Sequence, residues 1–210
     1  YKVTGVQTCA LPIWTTMMNS LPPGIIILVG ALALPLLPRA LRAVGALALP
    51  IISLAHLIFL SDVVSLEVEF AGLSLIPVRV DRLSLIFGYI FHIAAILAAL
   101  YALHVRNTVE HVTAMFYVGS AIGAVFAGDL VTLFLYWEIT ALSSVFLIFA
   151  SRTERSYRAG IRYLIIQVGS GVLLLSGILM HYQDVGSLAF GQLIGAAGSL
   201  GDAKIGRAHV

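Results

Sequence analysis

Glu138 is the residue whose type and position most directly suggest chemistry in this sequence. It stands near the middle of an apolar run, Leu130 to Phe149, that contains no other charged residue. An ionised carboxylate at the centre of a bilayer costs roughly 2.5 to 3.5 kcal/mol on insertion scales, so such groups usually face a protein interior or a hydrated path. We therefore interpret Glu138 as a functional carboxyl that can take up and release a proton when a nearby cation moves. A neutral structural hydrogen-bond donor is the alternative.

Three further residues are candidates for relaying protons: His56, His92 and Gln167. Imidazole titrates near neutral pH, so either histidine is suited to pass a proton on. The alternative for each histidine is a hydrogen-bonded packing residue. Gln167 lies three residues before Ser170, so the two share a helix face and could hold water. Ordinary hydrogen bonding between helices is the alternative for Gln167.

The two histidines also raise the alternative of a haem-binding membrane cytochrome, with His56 and His92 as iron ligands. Their predicted depths in the membrane differ by ~6 Å at about 1.5 Å of rise per residue, which fits a single iron poorly. The sequence therefore predicts no cofactor and no bound metal.

The composition indicates that a membrane surrounds the elements that carry these residues. Hydrophobic residues make up 60% of the 210 residues, charged residues only 10%, and the mean hydropathy is +1.03. A soluble domain needs more polar surface than this. Because a spanning helix needs about 20 apolar residues, we predict an all-α, polytopic transmembrane bundle with about six spans. They run near residues 21–38, 43–61, 83–104, 112–128, 130–150 and 161–181, and Pro35 is expected to kink the first or end it early.

Arginines predict the orientation of the bundle. Only Arg79 and Arg82 fall on one side of the predicted spans. The positive-inside rule therefore places the opposite, arginine-rich loops in the cytoplasm and the amino terminus outside, in a bacterial plasma membrane. The arginines of those loops are Arg39, Arg42, Arg106, Arg152, Arg155, Arg158 and Arg162.

The long loop Asp62–Val80 alternates apolar and polar residues on both sides of Gly72. This pattern predicts a small β-hairpin on the outer face, with an irregular loop as the alternative. Asp81 and Asp129 each stand directly before a predicted helix. A carboxylate there caps free backbone amides, which is the role we predict for both.

Glycines in two predicted spans suggest close packing of helices. Gly119 and Gly123 form a pair of small residues four apart on the fourth span. The sixth span has three positions without a side chain, at Gly169, Gly171 and Gly177. Small residues let helix backbones approach each other in membranes, so we expect close helix contacts at these positions.

Both ends of the chain resemble non-native sequence. The stretches Val3–Ile13 and Lys204–Val210 resemble in-frame translations of sequencing adaptors, so we exclude residues 1–13 and 204–210 from the fold. Residues 14–203 are then interpreted as the amino-terminal part of a transmembrane domain whose remainder is missing. The cysteine and both lysines lie in the excluded ends, and the remaining acidic residues slightly outnumber the basic ones. We therefore expect neither nucleic-acid binding nor a thiolate-held iron–sulfur cluster, and no redox chemistry in this chain.

Three blocks of sequence stand in a specific order: Val80–Phe87, Gly128–Phe134 followed by Trp137-Glu138, and Tyr163–Ser170. In this order and spacing they resemble the antiporter-like membrane subunits shared by complex I (NADH:quinone oxidoreductase), Mrp-type cation/proton antiporters and membrane-bound hydrogenases. The resemblance extends from Val80 to about residue 178, around half of the chain.

This resemblance implies a subunit that translocates protons, or exchanges Na⁺ for protons, within a multisubunit membrane complex. It implies that Glu138 matches the family's essential intramembrane glutamate, which is normally paired with a lysine on a broken seventh helix. That lysine is absent from this sequence. The expected partners are other membrane subunits, the lipid bilayer, protons and, for an antiporter, Na⁺. Within the family we favour the branch of the D-type subunits of Mrp antiporters. A non-catalytic membrane scaffold is a further alternative.

Overall fold

A computed structural model describes residues 21–60, 65–70 and 72–190 of the chain. The predicted all-α membrane fold with a small β-hairpin is confirmed. The adaptor-like ends, residues 1–13 and 204–210, lie outside the described residues. In chain order the elements are α1 (Pro23–Ala33), α2 (Arg39–Phe59), β1 (Ser65–Phe70), β2 (Leu73–Arg79), α3 (Arg82–Tyr101), α4 (Thr108–Val125), α5 (Leu130–Phe149) and α6 (Glu154–Val185).

Each of the six predicted spans coincides with a helix, but four of the described helices are long and apolar enough to cross a membrane. These are α2, α5, α6 and α3 with its 3-10 extension Ala102–His104. Helix α1 has only 11 residues, because a 3-10 turn containing Pro35 replaces its next turn. Helix α4 has 18 residues but carries Glu110 and His111 near its start. Helices α1 and α4 do not meet both criteria, because α1 is shorter and α4 is more polar.

Helix α6 is longer than predicted. It begins at Glu154 and ends at Val185, a length of 32 residues. Its start is a capping box, in which the Ser156 N–H donates to Thr153 Oγ1 at 3.1 Å and the Thr153 N–H donates to Ser156 Oγ at 3.1 Å. A local hydrogen-bond pattern therefore starts the helix before its apolar run begins. As a correction, three arginines predicted for the preceding loop lie on the helix itself: Arg155, Arg158 and Arg162.

The predicted hairpin is present, and it docks on the segment that joins α4 to α5. Strands β1 and β2 pair in antiparallel fashion on either side of a turn at Gly72. The Arg79 N–H donates to the Phe126 carbonyl oxygen at 2.7 Å, and the Gly128 N–H donates to the Ile76 carbonyl oxygen at 2.9 Å. The hairpin thus holds the chain directly before α5, the helix that carries Glu138.

Asp129 joins the hairpin to the first turn of α5. It is fully buried, and its Oδ2 accepts from the Ile76 N–H at 2.7 Å and from the Thr132 hydroxyl at 2.6 Å. Its Oδ1 accepts from the N–H groups of Val131 and Thr132 at 2.9 and 2.8 Å. Asp81 caps α3 in a capping box, in which its Oδ1 accepts from the Ser84 N–H at 2.8 Å and its N–H donates to Ser84 Oγ at 2.8 Å. Both predicted caps are confirmed.

Helices α1 and α4 cross with their backbones in contact. A Cβ built on Gly119 would lie 3.0 Å from the Gly24 carbonyl oxygen, and one built on Gly24 would overlap the backbone of Gly119 and Gly123. The close contact predicted for Gly119 and Gly123 is therefore confirmed. At Gly169 and Gly177 no atom of the described residues lies within 4 Å of a Cβ built there, so the described residues supply no such contact.

The apolar core lies where α1, α2, α4 and β2 meet. Much of the outward surface of the helices is apolar as well, and Leu173 of α6 is 75% exposed in the isolated chain. Lipid or neighbouring subunits must cover such a surface, as expected for an integral membrane protein. The core includes Ile27, Leu34, Leu57, Val78, Ile122 and Phe126.

Candidate functional site

The carboxyl group of Glu138 lies at the interface between α5 and α6. It contacts Gly171, where a Cβ would overlap Oε1 and would lie 3.3 Å from Oε2. Oε1 is buried, yet it has no hydrogen-bond partner among the described residues. A buried carboxyl oxygen without a partner is unfavourable. The site therefore suits a group that takes up a proton or meets another partner during function.

Polar side chains continue along this interface from Glu138 toward the arginine-rich end of the bundle. Gln167 is half-buried on α6, one turn before Gly171, which is about 6 Å along the helix axis. Farther along, the hydroxyl oxygens of Ser144 on α5 and Tyr163 on α6 lie 3.0 Å apart, within hydrogen-bond distance. Gln167 is therefore the predicted relay residue that lies on the helix facing Glu138.

His92 is completely buried on α3, with both ring nitrogens engaged. Its Nδ1–H donates to the Gly88 carbonyl oxygen at 2.6 Å, and its Nε2 lies 2.8 Å from the Ser53 hydroxyl of α2. That hydroxyl also donates to the Pro23 carbonyl oxygen at 2.8 Å. Since carbonyl oxygens only accept, a neutral ring leaves one hydroxyl proton to serve both Nε2 and Pro23. While the ring is neutral, one of these three hydrogen bonds therefore lacks a proton.

His56 lies one turn after Ser53 on α2, near the hairpin end of the bundle. It is half-buried, and its Nε2 donates to the Leu21 carbonyl oxygen at 3.1 Å. The sequence-predicted residues therefore fall into two groups. His56 and His92 lie with the first three helices, whereas Glu138 and Gln167 lie between α5 and α6.

The histidine geometry does not favour the haem alternative. Both nitrogens of His92 form hydrogen bonds within the protein, so neither is presented to an iron in this conformation. Within residues 21–60, 65–70 and 72–190, no group of three or more histidine, cysteine, aspartate or glutamate side chains could hold a metal ion.

Sequence reasoning missed two features of this region. The sequence predicts a packing role for Gly171, but not that its partner is the Glu138 carboxyl. His181, in the last turns of α6, has a buried Nε2 that lacks a hydrogen-bond partner among the described residues. The available signal was a histidine at the limit of the sixth predicted span.

Residues 127–208 match the family model described as NADH:quinone oxidoreductase/Mrp antiporter, transmembrane. The D-type subunit of the Na⁺/H⁺ antiporter of Alkalihalophilus pseudofirmus is 31% identical over 78 residues, which is 37% of this chain and 16% of that protein. The chain thus spans only a small part of the curated relatives it matches. The matched family segment includes Glu138, Gln167 and Gly171.

Two solved assemblies have chains of similar structure. The membrane-bound sulfane sulfur reductase, an archaeal respiratory membrane complex, matches with a TM-score of 0.77 and 23% identity over 89% of this chain and 31% of that chain. The Mrp complex from Dietzia sp. DQ12-45-1b matches with a TM-score of 0.70 and 21% identity over 83% of this chain and 20% of that chain. These likenesses confirm the fold. With the family model and the Alkalihalophilus relative, they confirm the resemblance to antiporter-like subunits.

Proposed function

We propose that this chain is part of an ion-translocating subunit of a multisubunit membrane complex, in which Glu138 binds and releases the transported proton. The observation that carries the proposal is the buried Oε1 without a partner, set against Gly171 between α5 and α6. A carboxyl in such a place changes its protonation when a neighbouring charge approaches or withdraws. Such a neighbour, whether a lysine as in the family or another cation, would drive loading and unloading.

The polar residues along the α5–α6 interface support a proton path between Glu138 and the arginine-rich end. Gln167 and the Ser144–Tyr163 hydrogen bond supply groups that can hold water or pass a proton. His92, with His56 one turn from its serine partner, is a second relay candidate on the hairpin side, supported by the proton count of its hydrogen bonds.

The comparisons support the chemical class of the transported ions. The name of the Alkalihalophilus relative supports exchange of Na⁺ for H⁺, whereas the family model spans both Mrp antiporters and NADH:quinone oxidoreductase. We favour the Mrp-type branch and assign other membrane subunits as partners. We also place the chain in a bacterial plasma membrane. The positive-inside rule assigns its arginine-rich end to the cytoplasmic side.

The test is Glu138→Gln in the assembled complex, with Glu138→Asp beside it. Glutamine keeps the volume and much of the hydrogen bonding but cannot exchange a proton, so flux in vesicles should be abolished at unchanged membrane abundance. Aspartate keeps a titratable group about one methylene away and should retain partial flux. Wild-type flux in the glutamine variant would contradict the proposal. Joint loss of flux and abundance would make Glu138 a structural residue of a scaffold.

A further inference from the structure

A basic cavity opens at the arginine-rich end of the bundle, far along the chain from Glu138. Its volume is about 690 Å³, within the range of roughly 300–1,000 Å³ typical of ligand sites. It lies where the first turn of α2 meets the start of α4. The polar residues that line it are Arg39, Arg42, Arg106, Asn107, Thr108 and His111.

Arg42 forms the fixed wall of this basic cavity. Its guanidinium donates to the carbonyl oxygens of Leu37 and Pro35 at 2.9 and 3.0 Å and to the Thr108 hydroxyl at 2.5 Å. These bonds tie the end of α1 and the starts of α2 and α4 together around the cavity. Arg42 is therefore already ordered in place before any ligand binds, which lowers the entropic cost of binding.

Arg39 and Arg106 supply the charge that remains available. Both are exposed, and neither forms an ion pair with the residues that the structure describes. No carboxylate lines the cavity, and Glu110 is held at 2.8 Å by the Asn107 amide. The starts of α2 and α4 add backbone N–H groups and two helix dipoles that favour an anion.

From this arrangement we infer that the basic cavity binds a phosphate-bearing anion, and specifically the head group of an acidic phospholipid. The free guanidinium groups of Arg39 and Arg106, with no carboxylate beside them, favour the negative charge and the oxygen acceptors of a phosphodiester. The cavity lies at the start of α2, a helix long and apolar enough to cross a membrane, and lipid head groups lie at the ends of such helices. Next to it, the apolar side chains of Leu41 and Val44 are 52% and 56% exposed and offer a surface for acyl chains. This inference is independent of proton translocation.

The test compares Arg39→Gln/Arg106→Gln with Arg155→Gln/Arg162→Gln, purified in the full chain within its assembly. The control pair removes the same charge from the same end of the bundle but outside the cavity, and Arg42 stays intact in both because it holds the fold. The probes are phosphatidylglycerol, phosphatidylcholine and inorganic phosphate. Lipid retention is counted by native mass spectrometry, and thermal stabilisation is measured in detergent.

Wild type and control should retain phosphatidylglycerol in preference to phosphatidylcholine, and the Arg39/Arg106 variant should lose about tenfold or more in affinity. Stabilisation by phosphatidylglycerol alone supports a lipid head group. Stabilisation by inorganic phosphate with equal binding of both lipids would overturn the lipid assignment in favour of a free anion. Equal phosphatidylglycerol binding by wild type and variant, or an equal loss in the control pair, would overturn the site.

Discussion

The carboxyl oxygen Oε1 of Glu138 fills the position that a Cβ on Gly171 would take, across the interface of α5 and α6. Any side chain at position 171 would occupy the space that this oxygen fills. Two other glycines of the same helix, Gly169 and Gly177, have no described atom near their missing Cβ positions. Substitution of Gly171 is therefore expected to disturb the Glu138 carboxyl, and substitutions of Gly169 and Gly177 serve as matched controls.

Replacement of Gly171 by alanine should displace the Glu138 carboxyl and reduce proton flux by at least about tenfold, because proton paths are sensitive to shifts of about 1 Å. Gly169→Ala and Gly177→Ala should leave flux unchanged, since no atom of the described residues lies within 4 Å of either added methyl group. Flux in vesicles and abundance of the assembled complex are measured together for all three variants.

A double variant separates displacement of the carboxyl from general damage to packing. In Gly171→Ala/Glu138→Asp, the shorter side chain leaves room for the methyl group, so flux should exceed that of Gly171→Ala alone. If Gly171→Ala keeps full flux while Glu138→Gln abolishes it, Gly171 does not position the carboxyl. That outcome would leave the proposed function of Glu138 intact.

Asp129→Ala should destabilise the protein by about 3 kcal/mol or more, because it leaves the buried N–H and hydroxyl of Thr132 and the part-buried N–H groups of Ile76 and Val131 without their acceptor. Asp81→Ala removes a half-exposed cap and should cost only about 1 kcal/mol. The comparison is made by thermal unfolding in detergent. Similar shifts for both variants would show that burial of Asp129 adds nothing to its capping role.

Ser53→Ala should destabilise the fold by about 1–3 kcal/mol, because Nε2 of His92 loses its buried partner. Ser74→Ala, at an exposed position of β2, is the control and should have an effect within about 0.5 kcal/mol of zero. Thermal unfolding checks both. An unchanged melting temperature for Ser53→Ala would mean that another group or water replaces the hydroxyl.

The acid sensitivity of the α3 cap follows from Asp81. The backbone N–H of Ser84, with smaller contributions from the Ser84 hydroxyl and Arg79, holds the pKa of the Asp81 carboxyl below its ordinary value against the opposing effect of burial. This stabilisation is therefore present above the ordinary pKa and is lost as pH falls through the lowered one. Below about pH 4, wild type should lose melting temperature more steeply than Asp81→Asn. Parallel curves would contradict this role.

Accessibility labelling tests the orientation. In a Cys9→Ser background, a cysteine at Ser151 should react with membrane-impermeant thiol reagents only from the cytoplasmic side, and one at Ser74 only from outside. Both positions are exposed in the chain, so its own fold does not block access to either. Reversed labelling would overturn the orientation drawn from the arginines.

Local signals in the sequence were sufficient for the membrane class, the hairpin and the helix caps. Apolar runs bounded by charges predict spanning helices because a helix needs about 20 continuous apolar residues to cross the bilayer. This requirement does not depend on which other helices pack against it. The Asp81 and Asp129 caps depend on amides only a few residues away, so spacing along the chain predicts them. The early start of α6 was not predicted, because the capping box that begins the helix precedes the apolar run from which the span was predicted.

Contacts between helices could be decided only by the tertiary structure. The sequence by itself marks Glu138 as a charge in an apolar run, since its cost depends on depth in the membrane. It does not reveal that the carboxyl faces Gly171 rather than Gly169 or Gly177. Nor does it reveal that Ser53 bridges His92 to Pro23, or that Arg39 and Arg106 border one cavity. The physical reason is that helix rotation and crossing are set by packing against neighbouring helices, which no single segment specifies.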